Sequence, residues 1–370
     1  MKILYVATKY DYGKRERGLS FEHANFFDSL YNMGNDIIYF DYMDILKKMG
    51  RSRMNNLLLE VVRAEKPELM FVFLSEYELE PKTISKISKS EKIITINWFA
   101  DDHWRFDNYS RYWAPNFNWV VTTDSEALPK YHAAAYHNVI LSQWACNHFL
   151  YKNLELDHQY DVSFIGQTYG NRKAIIQTIE AAGIHVETRG QGWAAGRVYQ
   201  DEMINIINRS RINLNLSNAS VKYVGEWLKP IDKFALYTPG LKRIWHKMRS
   251  FIPARLAKSR PIFQIKGRNF EVPGCGGFLL TDYIQGLEEF YQAEREVVCY
   301  NSVTELIKKI QFYLVHDSLR QQIALAGYQS TLEKHTYVHR FNQIFRQIGL
   351  KNDYSLDKHP GSCVEISQDK

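Results

Sequence analysis

Two sets of short apolar runs, each alternating with stretches of helical periodicity, constrain the fold of this chain more than any other feature. The first set is Ile3–Ala7, Ile37–Phe40, Leu69–Phe73, Ile93–Ile96 and Trp119–Thr122. The second set is Asp161–Ile165, Ile184–Thr188, Ile212–Leu216, Phe278–Thr281 and Val297–Tyr300. Such alternation is typical of βαβ units, whose strands are parallel. The sequence therefore predicts an α/β protein with two Rossmann-like domains.

The length of the chain supports the division into two domains. At 370 residues it exceeds what one hydrophobic core usually serves. Further helical patterns cover Val303–Val315, Ser318–Lys334 and Val338–Ile348. We predict an N-terminal domain over residues 1–155, a second domain over 156–336, a last helix over 337–350 and a flexible tail of low apolar content over 351–370.

Several common kinds of site have no counterpart in the sequence. It contains no G-x-G-x-x-G fingerprint and no Walker A loop, which argues against a dinucleotide dehydrogenase and a nucleoside triphosphatase. Its cysteines form no Cys-x-x-Cys pair, so neither a zinc site nor a disulfide framework is predicted. No signal-peptide pattern opens the sequence, and no apolar run approaches the roughly 20 residues that span a bilayer. We therefore expect a protein of a reduced, cytoplasmic compartment.

Positive charge is concentrated in one segment. The net charge of the chain is +6, and Lys229 to Arg268 contain eleven Lys and Arg residues against the single acid Asp232. Because one segment holds the basic residues, a general nucleic-acid-binding surface is not predicted.

Within that segment, residues 229–262 are predicted to form an insertion with a basic amphipathic helix. Its helical spacing places Trp245 and Met248 on an apolar face, opposite cations that include Arg249. This pattern is typical of a helix that lies on the anionic inner face of a membrane. The same periodicity arises when a helix packs on its own domain, which is the commoner case, and a lid or a partner contact is a further alternative.

The densest group of chemically informative residues lies in Gln264–Thr281. It combines two cations, one carboxylate and two glycines immediately before an apolar run: Lys266, Arg268, Glu271, Gly276 and Gly277. Glycine permits positive φ angles and close backbone approach, so the segment predicts a loop and short helix that lead into a parallel strand. This geometry suits a phosphorylated ligand.

The motif Arg268-x-Phe-Glu-x-Pro-x-x-Gly-Gly-Phe-Leu-Leu-Thr281 resembles the hallmark of the CgeB/YkvP-like bacterial glycosyltransferases, a branch of the GT-B superfamily related to glycosyltransferase families 1 and 4. Other pieces match the same branch in order along the chain: Asn97-Trp-Phe-Ala-Asp-Asp-His-Trp-Arg-Phe-Asp107, Phe164-Ile-Gly-Gln-Thr-Tyr-Gly-Asn-Arg172 and Gly190-Gln-Gly-Trp193. The resemblance implies a GT-B fold, with an acceptor domain, a facing nucleotide-sugar donor domain and a last helix that crosses back onto the first domain.

The resemblance also implies roles in donor binding. It makes Glu271 the carboxylate that holds the nucleotide ribose, whereas the alternative is a solvated first-turn glutamate favoured by the helix dipole. We expect Gly166, Arg172 and Lys266 or Arg268 to stabilise the diphosphate, the alternative being ordinary surface charge. Many relatives carry a second glutamate where this chain has Phe263, which leaves the donor-sugar contacts and the stereochemical course open.

The candidate catalytic residues follow two strands of the first domain. Asp101, Asp102 and His103 come after Ile93–Ile96, where they would act as or orient a general base. Alternatives are a metal-binding acidic pair of the GT-A type, or a structural role in which the tryptophans cap a core and the acids hold Arg105. His23, after the glycine-containing loop that follows the first strand, is a second base candidate, although a lone helical histidine is more often structural.

The expected activity is transfer of a sugar from a nucleotide diphosphate sugar to an acceptor hydroxyl, without metal and without a resident cofactor. The expected partners are the nucleotide sugar and a glycan or lipid-linked acceptor, with an anionic membrane surface as a further candidate. The setting would be bacterial surface polysaccharide, spore-coat or glycolipid synthesis. Two rivals remain: an inactive sugar-nucleotide-binding scaffold, and a membrane-associated interaction module.

Overall fold

The chain divides into two compact units. The computed structural model describes residues 1–90, 92–217, 219–224, 257–262, 264–351 and 359–366. Unit 1 comprises Met1–Gln143, Lys222–Lys258 and Phe341–Lys370, and unit 2 comprises Trp144–Val221 and Ser259–Arg340. The first division thus falls at Gln143, before the domain boundary that the sequence predicts at residue 155.

Unit 1 contains one parallel sheet. Its strands are β1 (Lys2–Ala7), β2 (Asp36–Asp41), β3 (Leu69–Val72), β4 (Ile94–Phe99), β5 (Trp119–Thr122), β6 (Val139–Leu141) and, from far along the chain, β14 (Cys363–Glu365). Their order is β14-β2-β1-β3-β4-β5-β6, and every neighbouring pair is parallel. The first predicted set of strands is therefore confirmed, and β6 is a short strand that the sequence analysis did not predict.

Helical segments join these strands. They are a π-helical turn over His23–Phe27 that continues into α1 (Asp28–Asn32), followed by α2 (Tyr42–Met49), α3 (Arg51–Glu65), α4 (Pro81–Ser90), α5 (Asp102–Arg105), α6 (Arg111–Trp113) and α7 (Leu128–Ala133). Ser20 caps the first helical turn, because its Oγ accepts a hydrogen bond of 3.0 Å from the His23 amide. Asp41 caps α2 in the same way, through the amides of Met43 and Asp44.

Strand β14 corrects the prediction of a flexible tail. The segment pairs in parallel with β2, and the Ile37 amide donates a hydrogen bond of 2.8 Å to the carbonyl of Ser362. Its three residues are exposed, so the strand is held mainly by backbone pairing to the sheet edge. Low apolar content therefore did not prevent order, because a sheet edge offers unpaired backbone groups to any extended segment that reaches it.

Unit 2 is built on a second parallel sheet. Its strands are β7 (Tyr160–Ile165), β8 (Glu187–Arg189), β9 (Ser210–Asn215), β12 (Leu279–Asp282) and β13 (Val298–Tyr300), in the order β13-β12-β9-β7-β8. The second predicted set is confirmed, with β8 displaced a few residues from its predicted position. A separate two-stranded sheet pairs β10 (Ala219–Val224) with β11 (Ala257–Ile262).

The helices of unit 2 and the last helix follow the predicted pattern. They are α8 (Arg172–Ala181), α9 (Gln200–Asn208), α10 (Arg268–Gly274), α11 (Val303–Val315), α12 (Asp317–Lys334) and α13 (Tyr337–Gln347). Helix α13 begins in unit 2 and belongs to unit 1 from Phe341 onward. There the Phe341 ring contacts the rings of Phe26 and Phe71, with centroids 5.9 and 5.7 Å away.

The predicted amphipathic helix is not covered by this description. Trp245, Met248 and Arg249 lie outside the described residues, as does Phe263. In the part of the chain that is described, no helix combines the length and the hydropathy needed to cross a membrane.

Candidate active site

A buried polar network anchors the start of α10 to the carboxyl ends of two strands. The amide side chain of Asn269 donates to Oγ1 of Thr281 in β12 at 3.2 Å and accepts from Asn215 of β9 at 3.1 Å. Its oxygen also accepts the backbone amide of Lys266 at 2.9 Å. Because buried hydrogen bonds have no water to replace them, this network fixes Lys266–Glu271 over the strand ends.

The carboxylate of Glu271 is buried, with only 3% of the residue exposed. One of its oxygens, Oε1, accepts a hydrogen bond of 3.1 Å from the hydroxyl of Tyr151. The other, Oε2, accepts one of 2.5 Å from Nη1 of Arg268. A solvated first-turn glutamate, the structural alternative, is therefore excluded, because the side chain is enclosed and held from both sides.

The three predicted cations occupy different environments. Arg172 is fixed by backbone carbonyls: its Nε donates to Leu216 at 2.8 Å and its Nη1 to Gln167 at 3.2 Å. Burial lowers the pKa of Arg172, and Asp282 opposes that shift. Lys266 contacts the side-chain oxygen of Gln264. Arg172 and Arg268 lie close enough to influence each other electrostatically, so the structure brings two of the cations together with Glu271.

The predicted donor-site glycines fill roles that local contacts explain. Gly166 donates to the carbonyl of Arg189 at 2.8 Å and accepts the indole N–H of Trp193 at 2.7 Å, which ties two loops at the carboxyl ends of β7 and β8. Gly276 adopts a φ of +74°, and a Cβ on Gly277 would lie 2.9 Å from the Asn213 amide. Gly276 and Gly277 lie past the C-terminal end of α10, away from Lys266 and Arg268.

Asp102 of unit 1 is buried and committed to a structural contact. Its Oδ2 accepts a hydrogen bond of 2.8 Å from the hydroxyl of Tyr131, and burial raises its pKa to about 6. The neighbouring Asp101 starts α5 and accepts the amides of Trp104 and Arg105 through its backbone oxygen. His103, within α5, is partly exposed.

Two further residues near Asp101 and Asp102, Trp98 and Arg105, have structural contacts. Trp98 is fully buried against Phe26, with ring centroids 4.7 Å apart, so it does belong to a core. The guanidinium of Arg105 stacks 3.9 Å from the Tyr109 ring and donates to the carbonyl of Ser75 at 2.7 Å. Arg105 is thus held by an aromatic ring and a backbone carbonyl.

His23 lies in an aromatic cluster. Its ring stacks on Phe27 with centroids 4.6 Å apart, and its Nδ1 is 3.1 Å from the Tyr39 hydroxyl. Burial, with a smaller contribution from Lys9, lowers its pKa to about 4. The imidazole is therefore neutral at pH 7, as a proton acceptor must be, but is a weak base.

The adjacent residue, Glu22, is the most strongly perturbed carboxyl group of unit 1 in the part of the chain described, and the sequence analysis did not select it. Burial raises its pKa to about 8, and the nearby carboxylates Asp11 and Asp41 add to that shift. Asp11 lies in the loop after β1, and Asp41 ends the neighbouring strand β2. The sequence did contain one signal for Glu22, because Asp11, Glu22 and Asp41 all lie at or after the ends of two predicted strands that pair in the sheet.

Comparisons with known proteins agree with this architecture. A family model described as glycosyl transferase-like matches residues 243–346. Spore protein CgeB of Bacillus subtilis is 23% identical over 225 residues, which cover 59% of this chain and 64% of that protein. Sucrose-phosphate synthase of Thermosynechococcus elongatus superposes over 94% of this chain and 99% of its own, with a TM-score of 0.59 and 8% identity. The chain is similar to CgeB over this region, and its fold is that of the GT-B glycosyltransferases.

Another GT-B structure adds a bound nucleotide sugar to the comparison. HepE of Anabaena, in complex with UDP-glucose, superposes over 94% of this chain and 99% of its own, with a TM-score of 0.57 and 10% identity. At 10% identity, the similarity to HepE shows a shared fold. The match to CgeB spans just under two thirds of that protein, so its activity and partners do not transfer automatically.

Metal ligation was the alternative interpretation of Asp101 and Asp102. Among the described residues, no group of three or more His, Cys, Asp or Glu side chains is placed to hold a metal ion. Asp102 is instead engaged with Tyr131.

Proposed function

We propose that this protein transfers a sugar from a nucleoside diphosphate sugar to a hydroxyl group of an acceptor. The observation that carries the proposal is the surroundings of Glu271, a buried carboxylate held by Tyr151 and Arg268 in the first turn of α10. The polar network of Asn269 sets that turn at the carboxyl ends of β9 and β12. This is the edge at which ligands of open parallel sheets bind.

In this proposal Glu271 binds the ribose of the donor. Each carboxylate oxygen has two lone pairs, and Tyr151 and Arg268 use one on each oxygen. The vicinal ribose hydroxyls would use the remaining lone pairs, so the sugar adds to the existing contacts without displacing them. Burial keeps these hydrogen bonds strong, because water competes poorly for an enclosed carboxylate.

Arg172, Arg268 and Lys266 would bind the diphosphate. Negative charge develops on the diphosphate as the glycosidic bond breaks, and fixed cations stabilise it without reorganisation. Arg172 suits this role because carbonyls of two loops already hold its Nε and Nη1. Its position does not depend on the ligand.

Unit 1 would supply the group that accepts the proton of the acceptor hydroxyl. Asp102 is the least suited of the predicted candidates, because Tyr131 already bonds its carboxylate. Asp101, His103 and His23 remain candidates, and Glu22 joins them. A carboxyl group with a pKa of about 8 is a stronger base once ionised than an ordinary glutamate.

The finer assignments rest on the relatives. The HepE structure contains bound UDP-glucose, so a uridine nucleotide sugar is the first donor to test. The resemblance to a spore protein supports a bacterial envelope or spore-coat glycan, or a lipid-linked acceptor, as the acceptor. We propose a reaction that needs no metal, and addition of EDTA to a turnover assay tests this directly.

A binding screen tests the central proposal. UDP, GDP, dTDP, CMP and ADP sugars are added singly, and the midpoint of thermal unfolding is followed, since a ligand of the folded state raises it. We expect one nucleotide class to raise the midpoint of the wild type and to lose about tenfold or more in affinity in Glu271→Gln. The control is Glu289→Gln, an exposed position in the same unit. If no nucleotide sugar binds, or if both variants bind like the wild type, the proposal is wrong.

A further inference from the structure

Unit 2 contains a cavity that the proposed reaction does not use. Its volume is about 260 Å³, and its wall includes Cys275–Phe278, the turn that follows α10. Other parts of the wall come from the amino-terminal end of β9 and from α12. The cavity therefore lies at the amino ends of the strands, the opposite end of α10 from Arg268. Its size is near the lower limit of small-molecule pockets.

A buried guanidinium with unused donors lines this cavity. Arg320 of α12 is only 2% exposed. Its side-chain hydrogen bonds both leave from Nη1, to the carbonyl of Tyr313 at 2.6 Å and to Asp317 at 2.7 Å. Within the described part of the chain, Nε and Nη2 donate to no protein group, and neither atom is sealed from solvent, so both remain accessible at the cavity wall. A ligand anion or water at the wall can therefore complete the hydrogen bonds of this guanidinium.

A second cation adds to the positive charge at the wall. Arg211 also lines the cavity and shares Asp317 with Arg320, at 2.6 Å. It further contacts Asp161 at 3.1 Å and donates to the carbonyl of Leu314 at 3.0 Å. Burial lowers the pKa of His158, another wall residue, and Arg320 and Arg211 lower it further, while Asp317 and Asp157 oppose the shift. Positive charge therefore reaches the wall itself. The wall also contains one acid, Glu155, which is exposed.

The remaining wall suits an organic body. Ile207 and Phe278 are buried apolar residues of the wall, and Leu325 is 55% exposed beside them. The side chains of Gln321 and Tyr328 add neutral hydrogen-bonding groups. We propose that this cavity binds a small organic anion, a phosphate or carboxylate about the size of a hexose phosphate, whose charged end meets the guanidinium of Arg320.

The occupant would touch the helix that carries Glu271. The amide of Cys275 donates to the carbonyl of Glu271 at 3.1 Å, and the amide of Gly277 donates to Val272 at 3.0 Å. A ligand against Cys275–Phe278 therefore contacts the turn directly attached to the end of α10. Binding there would change the affinity of the donor site through α10, and by linkage the nucleotide would change the affinity of the anion equally.

Calorimetric titration without nucleotide tests the site. The probes are glucose 6-phosphate, citrate and inorganic phosphate, with glucose as the uncharged comparison. We expect saturable binding of at least one anion and none of glucose. Gln321→Glu places a carboxylate at the wall and should weaken anion binding by about tenfold, by like-charge repulsion. Gln322→Glu makes the same change at an exposed neighbour on α12 that does not line the cavity, and should bind like the wild type.

Both substitutions are at exposed positions of α12, so both proteins should fold. The proposal is overturned if none of the anions binds at concentrations of about 10 mM, a very weak affinity. Equal binding by Gln321→Glu and Gln322→Glu would overturn it too. Because the titration contains no nucleotide, a protein that binds the anion but no nucleotide sugar would reject the proposed function and keep this site.

Discussion

The hydroxyl of Tyr151 donates a hydrogen bond of 3.1 Å to Oε1 of Glu271, across 120 positions of sequence. Both side chains are buried in unit 2. Tyr151 follows the start of that unit, and Glu271 lies in the helix after the basic segment. The carboxylate proposed to hold the donor is therefore oriented by a residue outside the motif that suggested it.

Tyr151→Phe tests this positioning role. Loss of the hydroxyl should leave Oε1 without its donor and weaken nucleotide binding by about three- to tenfold, with a loss of roughly 1 kcal/mol of stability. Nucleotide affinity is measured by calorimetry and stability by urea unfolding. The control is Tyr283→Phe, at a position that is 46% exposed. Unchanged nucleotide affinity in Tyr151→Phe would mean that Arg268 alone is enough to orient the carboxylate of Glu271.

Glu22→Gln tests the perturbed carboxyl group of unit 1. The folded protein holds the Glu22 proton up to about pH 8, whereas the ordinary pKa is 4.5. The folded state thus binds more protons between these values, and the free energy of unfolding falls as the pH rises from 4.5 to 8. Glutamine cannot ionise, so the variant should lose this decline and be more stable than the wild type at pH 9, by up to about 5 kcal/mol.

Urea unfolding at pH 5, 7 and 9 measures the difference. Glu60→Gln, at an exposed position of α3, is the matched control and should keep the pH dependence of the wild type. If Glu22→Gln and the wild type change in parallel across this range, Glu22 is ionised like an ordinary glutamate. If Glu22 also accepts the acceptor proton, Glu22→Gln should lower kcat at every pH with little effect on donor affinity.

Tyr131→Phe tests the structural role of Asp102. Removing the hydroxyl leaves a buried carboxyl group with one donor fewer, which should cost roughly 1 to 3 kcal/mol. The cost should be larger at pH 8 than at pH 5, because the pKa of Asp102 is about 6 and its charged form needs the donor more. Tyr136→Phe loses a bond of 3.3 Å to the carbonyl of Phe117 and should show no such pH dependence. A larger cost at pH 5 would contradict this role.

Gly361→Ala tests the docking of β14. A Cβ on Gly361 would lie 1.8 Å from the carbonyl oxygen of Asn35, a backbone atom that cannot move aside cheaply. We expect the strand to detach while the rest of unit 1 stays folded. Hydrogen exchange at the Ile37 amide, which donates to Ser362, should then accelerate by about tenfold or more. His359→Ala, at an exposed position, is the control, and equal exchange in both variants would show that β14 tolerates the clash.

Much of the fold was predictable because its strands are apolar and periodic. β1 and β3 are continuous buried runs, and α11 carries clear helical spacing. β6 is an edge strand in which only one of three residues is buried, and β14 is exposed throughout and owes its order to the edge of β2, so neither gave a clear strand pattern. Pairing partners of that kind are not visible in a local window of sequence.

The candidate site was predictable only in part. The motif selected Glu271, Arg268 and Arg172, and the structure brings these three together in unit 2. Tyr151 could not be selected, because its partner is far away in sequence. Glu22 was passed over because its pKa is raised mainly by burial, with smaller contributions from Asp11 and Asp41, and burial of one helical carboxyl group is not visible in the local sequence. Conversely, Asp102 looked catalytic from its neighbours, yet its side chain is bonded within a core.

The pairing of β14 with β2 has a consequence for the order of folding. Cys363 lies opposite Ile37, so this contact closes a loop that contains every residue of unit 2. Contacts of such high sequence separation form slowly, since the entropy of a very long loop must be lost first. Docking of β14 should therefore be a late kinetic phase, after the inner strands of unit 1 have assembled.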